Sequence, residues 1–202
     1  MSAALVLIDL QNDVVNNRSE RIREIVRRSA VVDHCVAAVA RARRARIPVI
    51  FVTVVRRPNG VDAVKNVTDV SLRQAERGVA EPLTCIEGTE GAALVRELPV
   101  EAGDFVVVKR RRSAFNGTEL DWLLRRLSVD TVLLGGVATN WGVESTARDA
   151  YDLGYDVVVL SDCCCGFSEA DHDWTMKNIL PNMARVMGWE QALASVEHAR
   201  PS

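Results

Sequence analysis

The alternation of apolar runs with helical patterns is the feature that most constrains the fold of this chain. Five strand-like runs lie at residues 3–10, 48–55, 104–109, 131–134 and 156–160, and a brief sixth lies at 185–187. Most are nearly continuous in apolar, β-branched residues, which is typical of parallel strands buried on both faces. Helical spacing fills the segments between them. One α/β domain is therefore predicted over residues 1–202, with a parallel sheet covered by helices on both faces.

The helical segments are less sharply bounded than the strands. Helices are predicted at residues 25–44, 89–97, 118–127, 140–153 and 168–179, with a short helix after the last strand. Gly154 fits a helix C-cap, and Ser168 with Asp171 resembles a capping box. Residues 56–88 are polar and irregular, and a long loop with one short helix is predicted there.

Composition and charge exclude several classes of protein. Hydrophobic residues make up 48% of the chain and charged residues 26%, and the formal net charge is -2. This balance fits a globular protein and gives no field for nucleic acid or anionic membranes. No run approaches the roughly 20 apolar residues of a membrane span, and no signal peptide is recognised. Five cysteines without a framework spacing favour a reducing compartment, so a cytoplasmic location is expected.

Three strand ends supply the candidate site. Asp9 ends the first strand, Lys109 ends the third, and the fourth runs into a glycine-containing turn at residues 135–142. Ligands of parallel α/β sheets bind beyond the carboxyl ends of the strands, so these three elements are expected to converge. The turn opens a helix, and backbone N–H groups at a helix N-terminus suit an anion or a developing oxyanion.

Three motifs carry a family resemblance. They are LVLIDLQND with Asp9, VVKRRRSAFNGTEL with Lys109, and GGVATNWGVESTARDAYDLGYDVVVLSD, in this order along nearly the whole chain. The chain resembles the isochorismatase-like hydrolase superfamily, which includes the cysteine hydrolases. The resemblance implies a three-layer α/β/α fold with a six-stranded, mostly parallel sheet, in a homodimer or homotetramer. It implies a catalytic Asp9 and Lys109, and a cis peptide bond before Ala138 that helps to shape an oxyanion hole.

The chain departs from the cysteine-hydrolase pattern at one position. The family reads G-V-A-T-N-x-C-V, whereas this chain has Gly142 in place of the cysteine. A glycine has no thiol, so the thioester route to amide hydrolysis is not available there. Isochorismatases include members with glycine at this position, and in their scheme the Asp acts as general acid on a vinyl ether. Their substrate-binding glutamine after the second strand is replaced here by the segment containing Arg56, which argues against isochorismate itself.

The resemblance and the residues together predict a hydrolase of a small metabolite that needs no cofactor and no metal. Asp9, Lys109 and Gly142 are the catalytic candidates. The substrate-binding candidates lie in the turn and in two neighbouring segments: Val137, Ala138, Trp141, Phe115 and Arg56. The bond is expected to be a vinyl ether or an amide. A catalytically inactive relative that binds a small molecule is the alternative, because the family nucleophile is missing.

Two further hypotheses are a substitute cysteine nucleophile and a metal site. The run Cys163–Cys165 follows the predicted fifth strand, and one of its thiols could replace the missing nucleophile, although buried structural cysteine is commoner. Three adjacent cysteines do not match the usual zinc spacing. The D-x-H pair of zinc-binding superfamily members is absent after the second strand. No metal site is therefore predicted.

Overall fold

Six strands form one parallel sheet in the structure, a computed structural model that describes residues 2–16, 19–78 and 82–198. The strands are β1 (Ala3–Ile8), β2 (Val49–Val54), β3 (Phe105–Lys109), β4 (Thr131–Val137), β5 (Asp156–Cys165) and β6 (Arg185–Met187). Their order across the sheet is β3-β2-β1-β4-β5-β6. The predicted strands are confirmed, and every strand pair is parallel.

The described ranges contain eight α-helices, of which the first seven lie between strands and the last follows β6. They are α1 (Asn12–Val15), α2 (Glu20–Ser29), α3 (Val31–Arg44), α4 (Asp69–Glu76), α5 (Leu120–Arg126), α6 (Glu144–Asp152), α7 (Glu169–Trp174) and α8 (Trp189–His198). Alternate side chains of the central strands enter two apolar clusters, one on each face of the sheet. Helices α3 and α8 pack into the first cluster, and α5 and α6 pack into the second. The fold is thus the three-layer α/β/α architecture that was expected. No helix of the described ranges has the length and apolarity to cross a membrane.

Two predicted helices are wrong. The helix expected at residues 25–44 is broken at Ala30, which has a left-handed conformation with φ 52°, so residues 25–29 belong to α2. The Ser29 hydroxyl bonds the carbonyl of Val26 and accepts the Val31 N–H, which stabilises the break. The segment 89–97 contains only the 3-10 turn Glu90–Ala92, because the side-chain amides of Gln11 and Asn12, which follow β1, hold two of its carbonyls in place.

Other boundaries shift without changing the topology. Strand β4 continues through its glycine pair to Val137, and β5 continues to Cys165 with a register irregularity between the two. The cysteine run is therefore inside β5 rather than after it. Helix α7 starts at the Ser168 cap and gives way to a π-turn, Thr175–Ile179. The short helix expected in the long loop is α4, and residues 79–81 of that loop lie outside the described residues.

Candidate active site

The predicted carboxylate and ammonium meet at the carboxyl edge of the sheet. Lys109 Nζ lies 2.8 Å from Asp9 Oδ2, and both side chains are buried. Asp9 directly follows β1, and its backbone N–H donates to the Val52 carbonyl of the neighbouring strand (2.8 Å). Lys109 also donates to the Arg111 carbonyl (3.1 Å). The parallel pairing of β1, β2 and β3 thus brings together two charges that are 100 residues apart in sequence.

The Asp9 carboxylate is only partly satisfied. Its second oxygen, Oδ1, is buried and accepts no hydrogen bond from residues 2–16, 19–78 or 82–198. Burial raises the pKa of the Asp9 carboxyl above its ordinary value, and the Lys109 ammonium opposes that shift. A buried acceptor without a partner is costly in a structural ion pair and useful where a proton is to be exchanged with a ligand.

The turn after β4 lies against this carboxylate. The peptide bond between Val137 and Ala138 is cis, as the resemblance implied, and a π-turn, Thr139–Val143, follows. Gly136 has φ 129°, and a Cβ there would come 2.1 Å from the Ile8 carbonyl oxygen, so only glycine allows this close approach of β4 to β1. The turn is therefore fixed directly beside the end of β1.

Gly142 marks the space that faces Asp9. A Cβ at this residue would lie 3.4 Å from Asp9 Oδ2, 3.0 Å from Ile8 Cγ2 and 3.6 Å from the Arg112 carbonyl oxygen. The Gly142 carbonyl accepts the Thr146 hydroxyl (2.6 Å), and that hydroxyl oxygen accepts the Ala114 N–H (3.0 Å). A side chain at residue 142 would therefore point towards the carboxylate. Because residue 142 is a glycine, no side chain of its own occupies the position next to Asp9.

Of the remaining predicted residues, Arg56 is close enough to act on Asp9, and Phe115 contacts a second aromatic ring. The Arg56 charge helps to lower the pKa of Asp9, and its guanidinium donates to the Thr84 carbonyl (2.8 Å). The Phe115 ring instead stacks on Tyr155, with ring centroids 5.9 Å apart. Tyr155 directly precedes β5, and a role of Phe115 in substrate binding stays a prediction.

Trp141 lies at the exposed rim of the same turn. It is 45% exposed, and its ring makes an edge contact with Phe167 at 5.7 Å between centroids. The Arg112 guanidinium lies over its face, 4.8 Å from the ring centroid. Thr139 in the same turn shares a 2.7 Å hydrogen bond with His172. The exposed edge of the site is therefore aromatic and cationic.

Two polar residues that the sequence analysis did not assign hold the surrounding loops. The fully buried Gln11 amide donates to the carbonyls of Val54 (2.9 Å) and Ala92 (2.7 Å) and accepts the Val54 N–H (2.8 Å). The Asp13 carboxylate accepts the Cys85 N–H (2.7 Å). Both residues belong to the LIDLQND motif, directly after the apolar strand, and this position at a strand end could have indicated their role.

The cysteines do not supply an activated thiol. All five are buried and free. A hydrogen bond with Cys35 together with burial raises the pKa of Cys163, and burial raises the pKa of Cys164 and Cys165. Burial likewise raises the pKa of Cys85 to about 11. Since the thiolate is the reactive form, these surroundings favour structural roles. Within the part of the chain that the structure describes, no three His, Cys, Asp or Glu side chains converge to hold a metal ion.

Comparison with known proteins defines the class. The Isochorismatase domain model matches residues 3–191, and the chain belongs to the isochorismatase family of hydrolases. It is 37% identical to the uncharacterized isochorismatase family protein YwoC of Bacillus subtilis over 194 residues, 96% of this chain and 94% of that protein. It is 30% identical to the ureidoacrylate amidohydrolase RutB of Yersinia enterocolitica, over 93% of this chain and 84% of that protein.

A solved structure supports the same assignment. An isochorismatase family protein from Burkholderia thailandensis superimposes with a TM-score of 0.81 at 34% identity. The match covers 97% of this chain and 96% of that one. The fold is thus that of a hydrolase family whose relatives include an amidohydrolase.

Proposed function

We propose that this protein hydrolyses a small metabolite with water and without a cysteine nucleophile. The observation that carries the proposal is the buried Asp9 carboxylate, with one oxygen paired to Lys109, the other unbonded, and the side-chain-free position of Gly142 beside it. Water admitted to that space is within reach of a proton acceptor or donor. Lys109 stabilises the charge that develops on the carboxylate or the substrate.

Two bond types fit this geometry, and each gives Asp9 a defined role. With a vinyl ether, protonated Asp9 gives its proton to the terminal vinyl carbon, and water adds to the resulting oxocarbenium carbon. The hemiketal then collapses to a ketone and an alcohol. Burial, which raises the pKa of Asp9, favours the protonated acid that this route needs.

With an amide or ureido group, Asp9 acts in the opposite sense. Ionised Asp9 takes a proton from water as the water oxygen attacks the carbonyl carbon, and the proton is then passed to the departing nitrogen. Lys109 favours the ionised form. The backbone around Val137 and Ala138 would hold the oxygen that becomes negative. The similarity to an amidohydrolase supports this second bond type.

Product detection by mass spectrometry tests the proposal. Wild type and Asp9→Asn are each incubated with one panel of vinyl ethers, small amides and carbamoyl compounds. Asparagine keeps the size of the side chain and tolerates the left-handed conformation of residue 9, where φ is 54°. We expect products from wild type and a loss of about 100-fold or more in Asp9→Asn. Unchanged turnover in the folded variant would refute the role of Asp9.

A binding protein without turnover is the second candidate, favoured by the glycine at the position where the family carries its nucleophile. It differs from the hydrolase in a measurable way. Saturable ligand binding by wild type without product formation, unaffected by Asp9→Asn, would support it. The retained pair of Asp9 and Lys109, with an unbonded buried oxygen, favours the hydrolase.

A further inference from the structure

The four consecutive cations at the end of β3 have different partners. Lys109 pairs with Asp9, and Arg110 pairs with Asp62 (2.9 Å). Arg111 donates to the Asp62 carbonyl (3.0 Å). Arg112 is exposed and, among residues 2–16, 19–78 and 82–198, its guanidinium makes no ion pair and no hydrogen bond. Of the four cations in this run, Arg112 alone has no acceptor within the described ranges.

The Arg112 guanidinium is nevertheless held in place. It lies 4.8 Å from the centroid of the Trp141 ring, whose own orientation is supported by the edge contact with Phe167. A guanidinium over an indole face gains cation–π attraction. The planar group has five N–H donors, which suit a carboxylate in a bidentate arrangement, and no acceptor among the described residues occupies them.

Arg112 is also adjacent to the reacting groups. Its carbonyl oxygen and Asp9 Oδ2 lie 3.6 and 3.4 Å from the same point, the position that a Cβ at Gly142 would occupy. Trp141 precedes Gly142 in the chain and is 45% exposed. The guanidinium over the Trp141 ring therefore lies at the exposed edge of the turn that contains Gly142.

We propose that Arg112, positioned on Trp141, binds a carboxylate of the substrate and so selects small carboxylic acids. The inference rests on the proposed hydrolase function and specifies its substrate class. The carboxylate stays at the rim while the bond to be cleaved reaches the space over Gly142. Lys109, which pairs with Asp9, stabilises the charge that develops during the reaction and does not bind the substrate carboxylate. Arg112 is a specificity-determining residue and takes no part in proton transfer.

Matched probes separate this role from catalysis. N-carbamoylglycine carries a carboxylate, and N-carbamoylglycinamide is its uncharged counterpart. For Arg112→Gln we expect a loss of about 10- to 100-fold in kcat/KM for the acid, mainly through KM, and less than about a twofold change for the amide. Arg112→Lys, which lacks the planar fork, is expected to restore part of the preference. Arg96→Gln, which removes an exposed arginine that is paired with Glu97, is the matched control.

Binding provides a readout that does not depend on turnover. Tryptophan fluorescence titration with N-carbamoylglycine, with Trp141→Phe to assign the signal, gives affinities for wild type and Arg112→Gln. Weaker binding by Arg112→Gln supports the carboxylate site, whether or not the probes are hydrolysed. Absence of hydrolysis counts against the proposed function and leaves the carboxylate site unaffected. Equal affinities, no binding by wild type, or equal losses for the acid and the amide overturn the inference.

Discussion

An ion pair lies at each end of β3, partly buried at the amino end and buried at the carboxyl end, and the two pairs are built differently. At the amino end, Asp104 pairs with Arg43 at 2.5 Å, and its oxygens also accept the Glu101 N–H (2.8 Å) and Arg43 Nε (3.3 Å). At the carboxyl end, Asp9 pairs with Lys109 and leaves Oδ1 unbonded. The first carboxylate is fully used within the protein. The second keeps one buried oxygen without a partner among the described residues.

The difference separates a structural role from a chemical one. A buried ion pair stabilises a fold only when its remaining lone pairs are satisfied, because desolvation otherwise offsets the attraction. Asp104 meets that condition and joins α3 to the start of β3. Asp9 does not, and burial raises its pKa. We therefore expect changes at the two ends of the same strand to have opposite effects on stability and activity.

Neutralising both members of the site pair has the largest expected effect on activity. In the double variant Asp9→Asn with Lys109→Met, proton transfer is lost, and turnover should fall by about 100- to 10,000-fold. No charge is left buried alone, so the free energy of unfolding should stay within about 1 kcal/mol of wild type. Steady-state kinetics measures the loss of turnover, and urea unfolding measures the free energy of unfolding. A large loss of stability would show that this pair is structural after all.

Breaking the other pair should have the opposite consequence. Asp104→Ala leaves the Glu101 N–H without its acceptor and removes one partner of Arg43, which keeps Glu101 and the Pro99 carbonyl. We expect a loss of about 1 to 3 kcal/mol in the free energy of unfolding. The kcat of the folded fraction should match wild type. Glu101→Gln is the control in the same cluster, since this glutamate is 59% exposed and should contribute less than about 1 kcal/mol. A kcat that falls with Asp104→Ala would remove the contrast between the two ends.

Filling the space beside Asp9 should lower activity at little cost in stability. In Gly142→Ala the new methyl group lies 3.4 Å from Asp9 Oδ2, where it displaces water, and a drop of about 10- to 100-fold in kcat is expected. The contact with Ile8 Cγ2 at 3.0 Å requires only a small side-chain shift. The unfolding midpoint should therefore remain near that of wild type. Full activity would mean that this space is not used.

A small shift is expected when the more remote cation is removed. The Arg56 charge favours the ionised Asp9 carboxylate and so lowers its pKa. In Arg56→Gln the pKa of Asp9 rises, and the limb of the pH profile of kcat/KM that reports this carboxyl should move to higher pH. The profile from pH 4 to 9 measures it, with Arg96→Gln as control. If the limb moves to lower pH or does not move, the Arg56 charge does not act on the Asp9 carboxyl.

Much of the fold was predictable because strand burial leaves a strong local signal. Each apolar run became a strand, and Asp9 and Lys109 were found because each ends such a run. The break at Ala30 was missed because alanine carries no turn signal. The helix predicted at 89–97 failed because contacts from Gln11 and Asn12, distant in sequence, override its local preference. Helix boundaries here depend on tertiary contacts.

The site was predictable in its charges and less so in its side-chain directions. The cis bond before Ala138 was implied by the family motif and is confirmed. The stacking of Phe115 on Tyr155 could not be predicted, because sequence position does not specify where this ring turns. The stacking of Arg112 on Trp141 depends on where two separate loops meet, and no local pattern indicates it. The subunit number stays a prediction from the resemblance.

The most direct test of thiol-free hydrolysis is the mass of the intact protein during turnover. Wild type is mixed with a substrate identified from the panel, quenched in acid at intervals shorter than one turnover, and analysed by mass spectrometry. We predict that product accumulates while the protein mass stays that of the unmodified chain, because water attacks the substrate directly. A transient adduct mapped to Cys85 or to one of Cys163–Cys165 would contradict hydrolysis by Asp9 and water.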